Sequence, residues 1–368
     1  MNILIIGEFS SFARHLKSGF VVLGHNVTIV QSGDGWKSLA QEEDIVVRNQ
    51  TWNINGRRIL GSNRILAIIN NIKTCRALKK KCRQPGLIIV VNYEFLSKNI
   101  TDAGVSLRYI SRCIKGGAKL IMNECGKSIA GAYFNKNFYC DLLGQKALLK
   151  ERRYTYLLRK SDAIIPTSYC YYEQLMAYAE VCSFDFNKIT RAIPLPITIN
   201  KDAVIDSCEG RKIVVFHGVI RPKAKGTPFI EAAMERLQEE FPDKVLCVCR
   251  GGIPYDEYVK LFDRVDILID QTYLNGWGMN AIIGAMKGKC VLTSCGPENG
   301  ENMGIENIPF VRITPDVEQI YETLKELVEN PKRIESLKKQ SRKFAEEYCD
   351  SRIIAKRYLN TVQVNTNE

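Results

Sequence analysis

VDILIDQTYLNGWGMNAIIGAMKGKCVLTS, residues 265–294, decides the fold. An apolar run, a glycine-bearing turn, a longer stretch with helical spacing and a second apolar run follow one another without interruption. Short apolar runs bounded by turn signals read as buried strands, and the stretch between them as the crossover helix of a parallel β/α/β unit. That helix opens at Gly278, and its first turns hold neither acid nor base. What such a start can offer is backbone: N–H groups left unpaired by the helix and the positive end of its dipole, about half an elementary charge. Gly276 and Gly278 place no Cβ in the way of an approaching anion. Gly284 and Ala285 are small either because the helix packs closely on the sheet or because a ligand needs the room.

The same alternation runs outward in both directions. The first half carries NILIIG (2–7), NVTIVQ (26–31), GLIIVVN (86–92), AKLIMN (118–123) and DAIIP (162–166). The second carries RKIVVFHG (211–218), KVLCVC (244–249), VDILID (265–270) and KCVLTS (289–294), with helix patterns at 226–240, 255–263, 278–288, 316–329 and 331–348. Between the sets, AIPLPITINKDAVIDSCEG (192–210) has two prolines and a polar tail, a linker composition. A chain of 368 residues also exceeds what one hydrophobic core serves. The expected fold class is therefore α/β, two Rossmann-like β/α/β domains facing a cleft. Residues 1–197 form the first, 198–210 the linker and 211–348 the second. Residues 349–368, with a helix pattern at 350–361, either cross back to the first domain or pack on their own. Neither half shows G-x-G-x-x-G after its first strand, which argues against a nicotinamide dehydrogenase.

Apolar residues at 45% and charged residues at 25% are ordinary for a globular protein, and no apolar run reaches the length of a membrane span. The start, MNILIIGEFS, lacks a basic n-region and cleavage site and reads as a buried strand, so a cytoplasmic location is expected. Thirteen cysteines occur without C-x-x-C, and the three histidines are far apart, so neither a metal site nor a disulfide framework is expected. Cys247 and Cys249 alternate as packing residues on one strand face would. The net charge of +12 is uneven: residues 1–200 hold 28 Lys and Arg against 14 Asp and Glu. Part of the excess is Arg57, Arg58, Arg64, Lys73, Arg76, Lys79, Lys80, Lys81 and Arg83. Residues 57–83 read either as a solvated basic face or as a peripheral contact with an anionic membrane or phosphorylated acceptor.

Ligands of open α/β sheets collect beyond the carboxyl ends of the strands. In FHGVIRPKAKGTPFIEAA (216–233) a strand ends at His217-Gly218, and Arg221, Lys223 and Lys225 precede a helix starting near Thr227-Pro228. Cations beside a helix N-terminus suit an anion between them, and a diphosphate fits. In the first half, Glu8, Glu94 and Glu124 each follow a strand. A carboxylate there orients a ligand's hydroxyls or takes a proton from an attacking hydroxyl; the alternative is a cap or a solvated rim residue. NECGKSIAGAYFNKNFYC (123–140) has the length of a loop over a site, with Tyr133, Phe134 and Tyr139 able to stack on a ligand.

HGVIRPKAKGTPFIEAA, GGIPYDEY followed by VDILIDQ, GMNAIIGAMKGKCVLTS followed by GPE, and GEFSSFARHLKSGFVVLGHNVTIV together resemble the nucleotide-sugar-dependent glycosyltransferases of the two-Rossmann (GT-B) class, in particular the retaining family 4-like group of bacterial surface-polysaccharide synthesis. The resemblance covers most of the chain. It implies that Arg221 and Lys225 bind the donor diphosphate with the amides of Gly278, Met279, Asn280 and Ala281. Gly218, Arg250, Gly251, Gly252, Asp270 and Gln271 would lie around the nucleotide, and Gly7, Ser10 and Tyr133 on the acceptor side. It departs at the family's paired glutamates, whose matching positions fall near Gly276 and on Gly284; Asn280 or Asp270-Gln271 would have to substitute. The implied partners are a nucleotide-diphosphate sugar and a saccharide or lipid-linked acceptor, with no nucleic acid and no cofactor. The favoured mechanism is front-face retaining transfer with the leaving charge held electrostatically; the absence of D-x-D agrees with metal independence. Inversion with Glu8, Glu94 or Glu124 as base stays open, as do a sugar-nucleotide epimerase and a non-enzymatic basic module.

Overall fold

The computed structural model describes residues 1–32, 44–47, 52–54, 57–59, 63–97, 104–126, 129–134, 152–182, 184–201, 205–219, 221–252, 257 and 261–363. Fifteen strands and thirteen helices lie within them. The strands are β1 (Asn2–Ile6), β2 (Asn26–Gln31), β3 (Ile45–Val46), β4 (Trp52–Ile54), β5 (Arg57–Ile59), β6 (Leu87–Val90), β7 (Leu96–Ser97), β8 (Val105–Ser106), β9 (Lys119–Glu124), β10 (Ala163–Pro166), β11 (Ile213–Val219), β12 (Val245–Gly251), β13 (Ile267–Ile269), β14 (Cys290–Thr293) and β15 (Val311–Arg312). The helices are α1 (Phe12–Val22), α2 (Asn63–Lys81), α3 (Leu107–Lys115), α4 (Ile129–Phe134), α5 (Arg152–Lys160), α6 (Tyr169–Cys182), α7 (Pro222–Lys225), α8 (Thr227–Glu240), α9 (Met279–Met286), α10 (Glu298–Met303), α11 (Val317–Glu329), α12 (Pro331–Phe344) and α13 (Ser351–Gln363).

The chain divides into two compact units. Unit 1 holds Met1–Thr167, Tyr171–Ile193 and Ser351–Glu368; unit 2 holds Ser168–Cys170 and Pro194–Asp350. In unit 1 the sheet order is β10-β9-β6-β1-β2-β3, with every pair parallel. Numbered within the unit this is 6-5-4-1-2-3, the Rossmann order, and it reverses between β1 and β6. In unit 2 the order is β12-β11-β13-β14-β15, again all parallel, reversing between β11 and β13. Strands covered by helices on both faces need continuous rather than alternating hydrophobicity. Ile3 to Ile6 and Ile267 to Ile269 are accordingly fully buried.

Residues 194–210 form part of unit 2 rather than a free linker. Cys208 is buried in its core, and its amide donates to the Glu335 carboxylate (2.8 Å). Lys338 donates to the Asp206 carbonyl (2.7 Å) and Arg342 to that of Asn200 (2.8 Å). Lys338 also meets the buried Asp266, which accepts from Nη1 and Nη2 of Arg211 and from the Val214 amide. Every oxygen of this buried carboxylate is thereby matched, as burial demands. The last helix belongs to unit 1: α13 packs on α1, where a Cβ at Gly19 would collide with the Ser351 carbonyl. Tyr358 of α13, fully buried, donates to the Asn123 side chain.

Candidate nucleotide site

In unit 2 the sheet reverses between β11 and β13, so the carboxyl ends of these two strands diverge into their loops. His217, near the end of β11, is fully buried between them. Its Nδ1 lies 2.9 Å from the Ile269 carbonyl and its Nε2 2.9 Å from Thr227 Oγ1. A carbonyl only accepts, so Nδ1 carries the proton and Nε2 accepts from the threonine hydroxyl. Burial, with the Lys225 charge nearby, lowers this imidazole to about 4, despite the hydrogen bond to Ile269 and the proximity of Asp270. His217 thus pins β11 to β13 and to the start of α8 as a neutral group.

The basic loop divides its cations between surface and interior. Arg221 and Lys223 are exposed, and neither side chain has a partner among the described residues. Gly226 ends α7 at φ +70°, and a Cβ there would collide with Thr272 Oγ1, so only glycine lets the loop pass. Its turn directs Lys225 inward. The Lys225 ammonium, expected to hold a diphosphate, instead forms a buried ion pair with Asp270 and donates to that residue's carbonyl (3.1 Å). Asp270 is fully buried, and its second carboxylate oxygen accepts from the Gly278 amide at 2.7 Å. Burial alone would raise this carboxyl; Lys225 and the Gly278 amide outweigh it and hold Asp270 below its usual value. The first amide of the helix start at Gly278 is therefore engaged by the chain's own carboxylate.

Two further expectations change. Gln271 is buried and donates to the carbonyls of Leu274 (3.2 Å) and Gly276 (3.4 Å), so it builds the loop before α9 rather than facing a nucleotide. Gly284 faces the sheet: a Cβ there would stand 2.5 Å from Leu268 Cδ2 and 3.5 Å from Val291 Cγ2. A glutamate at 284 would point into the core, so this is a packing position. Met279 and Ala281 are also buried, whereas Asn280, Ile283 and Lys287 are half-buried along the opposite stripe at helical spacing. Eight residues before Ile283 stands Asn275, a residue outside the sequence-based expectations. Its amide donates to Glu298 (2.9 Å), and its oxygen accepts from Gly296 N (2.7 Å) and Asn299 Nδ2 (2.8 Å). Both pairs are eight apart, but Gly284 is turned into the core while Ile283 is half-buried, so burial favours the 275/283 register, and neither of its residues is acidic.

Gly218 pairs with Arg250 and Val219 with Gly251, bringing Arg250 and Gly251 to the same strand-end level; Arg250, Gly251 and Gly252 are exposed. Gly251 is constrained by close approach, since a Cβ there would collide with the Val219 carbonyl.

In unit 1 the corresponding reversal lies between β1 and β6. Gly7, at φ +95°, lies against Asn92, and a Cβ would come within 2.5 Å of the Asn92 Cβ. Ser10 and Ser11 are also left-handed, at φ 52° and 71°. Ser11 makes no side-chain cap of α1; Glu8 does, accepting from the amides of Ala13 and Arg14, both at 3.1 Å. A buried carboxylate spent on a helix start is a cap rather than a base waiting for a substrate. Glu94 is exposed on a single 3-10 turn, and Glu124 is buried, accepting from the Tyr154 hydroxyl (3.1 Å). Burial, then the charges of Glu124 and Glu8, pushes the Cys125 thiol up. Tyr133 lies in α4 with its side chain outside the described residues, as are those of Phe134, Arg57, Arg58 and Arg64; Tyr139 lies outside them altogether. On α2 and just beyond it, Lys73, Arg76, Lys79, Lys80, Lys81 and Arg83 are exposed together with Ile69 and Ile72. Among the described residues no group of His, Cys, Asp and Glu could hold a metal ion, and no helix is long and apolar enough to cross a membrane.

No family model matches the chain, and no protein of curated function matches its sequence. Solved structures do match over its whole length. Anabaena HepE in complex with UDP-glucose has a TM-score of 0.62 at 13% identity, covering 99% of this chain and 100% of that one. The chain has the GT-B fold. Sucrose-phosphate synthase from Thermosynechococcus elongatus gives 0.60 at 14% identity, over 100% of both chains. The UDP-GlcNAc 2-epimerase of Neisseria meningitidis bound to UDP-GlcNAc gives 0.50 at 13%, over 99% and 100%. Two Rossmann-like units of the GT-B kind thus occur in proteins of different named activities, and the reaction must be argued from the site.

Proposed function

We propose that the protein is a glycosyltransferase that moves a sugar from a nucleoside-diphosphate sugar to a saccharide or lipid-linked acceptor in cell-surface glycan synthesis. The observation that carries this reading is the loop of unit 2 in which Arg221 and Lys223 stand exposed, without a partner among the described residues, at the β11–β13 reversal. That is where ligands of parallel α/β sheets bind, and guanidinium with ammonium matches a diphosphate. Nucleotide-sugar complexes of two proteins sharing the fold agree with this choice of donor.

Transfer is metal-independent and front-face retaining in this reading. As the bond to the anomeric carbon breaks, charge grows on the β-phosphate. Arg221 and Lys223 meet it with preset charge, and Arg250 and Gly251 stand by the nucleotide. Unit 1 takes the acceptor. With Glu8 committed to α1, the carboxylates left to orient or deprotonate an acceptor hydroxyl are Glu94 and Glu124. The basic face of α2, with Ile69 and Ile72 exposed among its cations, suits peripheral contact with an anionic membrane on the cytoplasmic side.

The test is calorimetric titration with UDP-, GDP-, TDP- and ADP-sugars, on wild type and on Arg221→Ala combined with Lys223→Ala. Both residues are exposed, so the double variant should keep the wild-type melting temperature and lose donor affinity by at least tenfold. Unchanged affinity sinks the site assignment. Interconversion of UDP-sugars without acceptor would replace transfer by epimerisation.

A further inference from the structure

The ion pair beneath the basic loop raises a question that the donor site does not answer. Lys225 and the Gly278 amide are the two positive groups that turn inward at the β11–β13 reversal, and both are bound to one carboxylate, Asp270. That carboxylate is fully buried, with one oxygen on the ammonium and the other on the amide of Gly278, the residue that caps the start of α9. A terminal phosphate seated at a helix N-terminus beside a lysine would make the same contacts with the same sign of charge. Asp270 therefore sits as a phosphate would sit. A diphosphate reaching for Lys225 and α9 meets a negative charge already in place, and both sets of oxygens cannot use the same donors.

We propose that Asp270 is a built-in counter-anion of the nucleotide site, a positioning residue that competes with the donor's diphosphate for Lys225 and for the α9 N-terminus. The inference rests on the donor-site reading above. Its functional consequence is a weakened grip: the exposed pair Arg221 and Lys223 makes the first contact, and Lys225 joins only when the carboxylate yields. Since the nucleoside diphosphate left after transfer carries more charge than the donor, the competition disfavours the product more than the substrate and speeds its release.

Asp270→Asn tests this. The amide can still accept from Gly278, and Lys225 loses its charged partner. Titration with UDP, GDP, TDP and ADP should show the variant binding the preferred diphosphate about tenfold tighter than wild type, the scale of one charge-assisted hydrogen bond gained. A merely structural Asp270 would lower the melting temperature and never tighten binding. Equal or weaker binding by a folded variant overturns the proposal and leaves the donor site standing. If neither protein binds any of the four diphosphates, the donor-site reading itself falls, and this inference with it. Should the variant not fold, a wild-type crystal soaked with the bound diphosphate decides: Lys225 moved from Asp270 to phosphate supports the competition, and an intact ion pair refutes it.

Discussion

Gly284→Ala separates the two readings of the small residues on α9. Glycine within a helix costs about 1 kcal/mol relative to alanine, so on propensity alone the substitution should stabilise. In the structure the added methyl would stand 2.5 Å from Leu268 Cδ2, and Leu268 is fully buried in β13. Forcing a methyl into a packed interior costs about 1–3 kcal/mol, so the net expectation is destabilisation by about 1 kcal/mol. Leu268→Ala by itself should cost about 2–5 kcal/mol through lost contacts and a cavity. It also removes the obstructing atom, so Gly284→Ala in that background should stabilise by about 1 kcal/mol, a coupling of about 2 kcal/mol across the cycle. Urea unfolding of all four proteins, followed by far-UV circular dichroism, measures it. If Gly284→Ala raises the wild-type midpoint and the two substitutions simply add, α9 is not seated on β13 as described, and 284 regains its claim to face a ligand. With α9 seated on β13 as described, Gly284→Glu should fail to fold, since it buries an unpaired carboxylate as well as a larger side chain.

His217 gives a pH prediction. Its folded value of about 4 lies below the unfolded value of 6.5, so its contribution is fully present above pH 6.5 and is lost as pH falls toward 4. The loss should be about 3 kcal/mol for this residue, and His217→Asn should flatten the pH dependence of the urea midpoint between pH 7.5 and 4.5 while lowering its value at pH 7.5. An equally steep variant would show that His217 is not the group being protonated. His15, lowered to about 4 by burial and then Arg14, adds a slope of the same sign. Gly19→Ala should loosen α13, because a backbone carbonyl blocks the methyl and cannot swing aside like a side chain. Limited proteolysis within 351–363 should quicken severalfold; unchanged cleavage would mean that the α1–α13 contact tolerates the shift.

The alternation of strands and crossovers was legible because a parallel strand covered on both faces must be apolar throughout, and such runs stand out against amphipathic helices. Observed strands fall within a few residues of the apolar runs, as at Ile213–Val219 against 211–218 and Cys290–Thr293 against 289–294. Residues 198–210, expected to be a linker, belong instead to unit 2; the proline and polar composition of 192–210 reports only local chain properties. The charged neighbours that hold Asp206, Cys208 and Asn200 in place, Lys338, Glu335 and Arg342, are well over a hundred residues away. The three strand-end glutamates look alike in sequence, yet one caps a helix, one is exposed and one lies buried against a tyrosine.

What the sequence determined by itself was the class of fold and the places where loops leave the strands, since both follow from local hydrophobic period and glycine or proline placement. Tertiary structure alone decided which charges are available. Lys225 and Arg221 are four positions apart in one basic loop, and nothing local distinguishes them. The left-handed turn at Gly226 and the arrival of Asp270 from β13 turn one inward to a buried partner and leave the other exposed. Burial is a property of what the rest of the chain brings alongside, and at this site it separates a cation held by the fold from one open to a ligand.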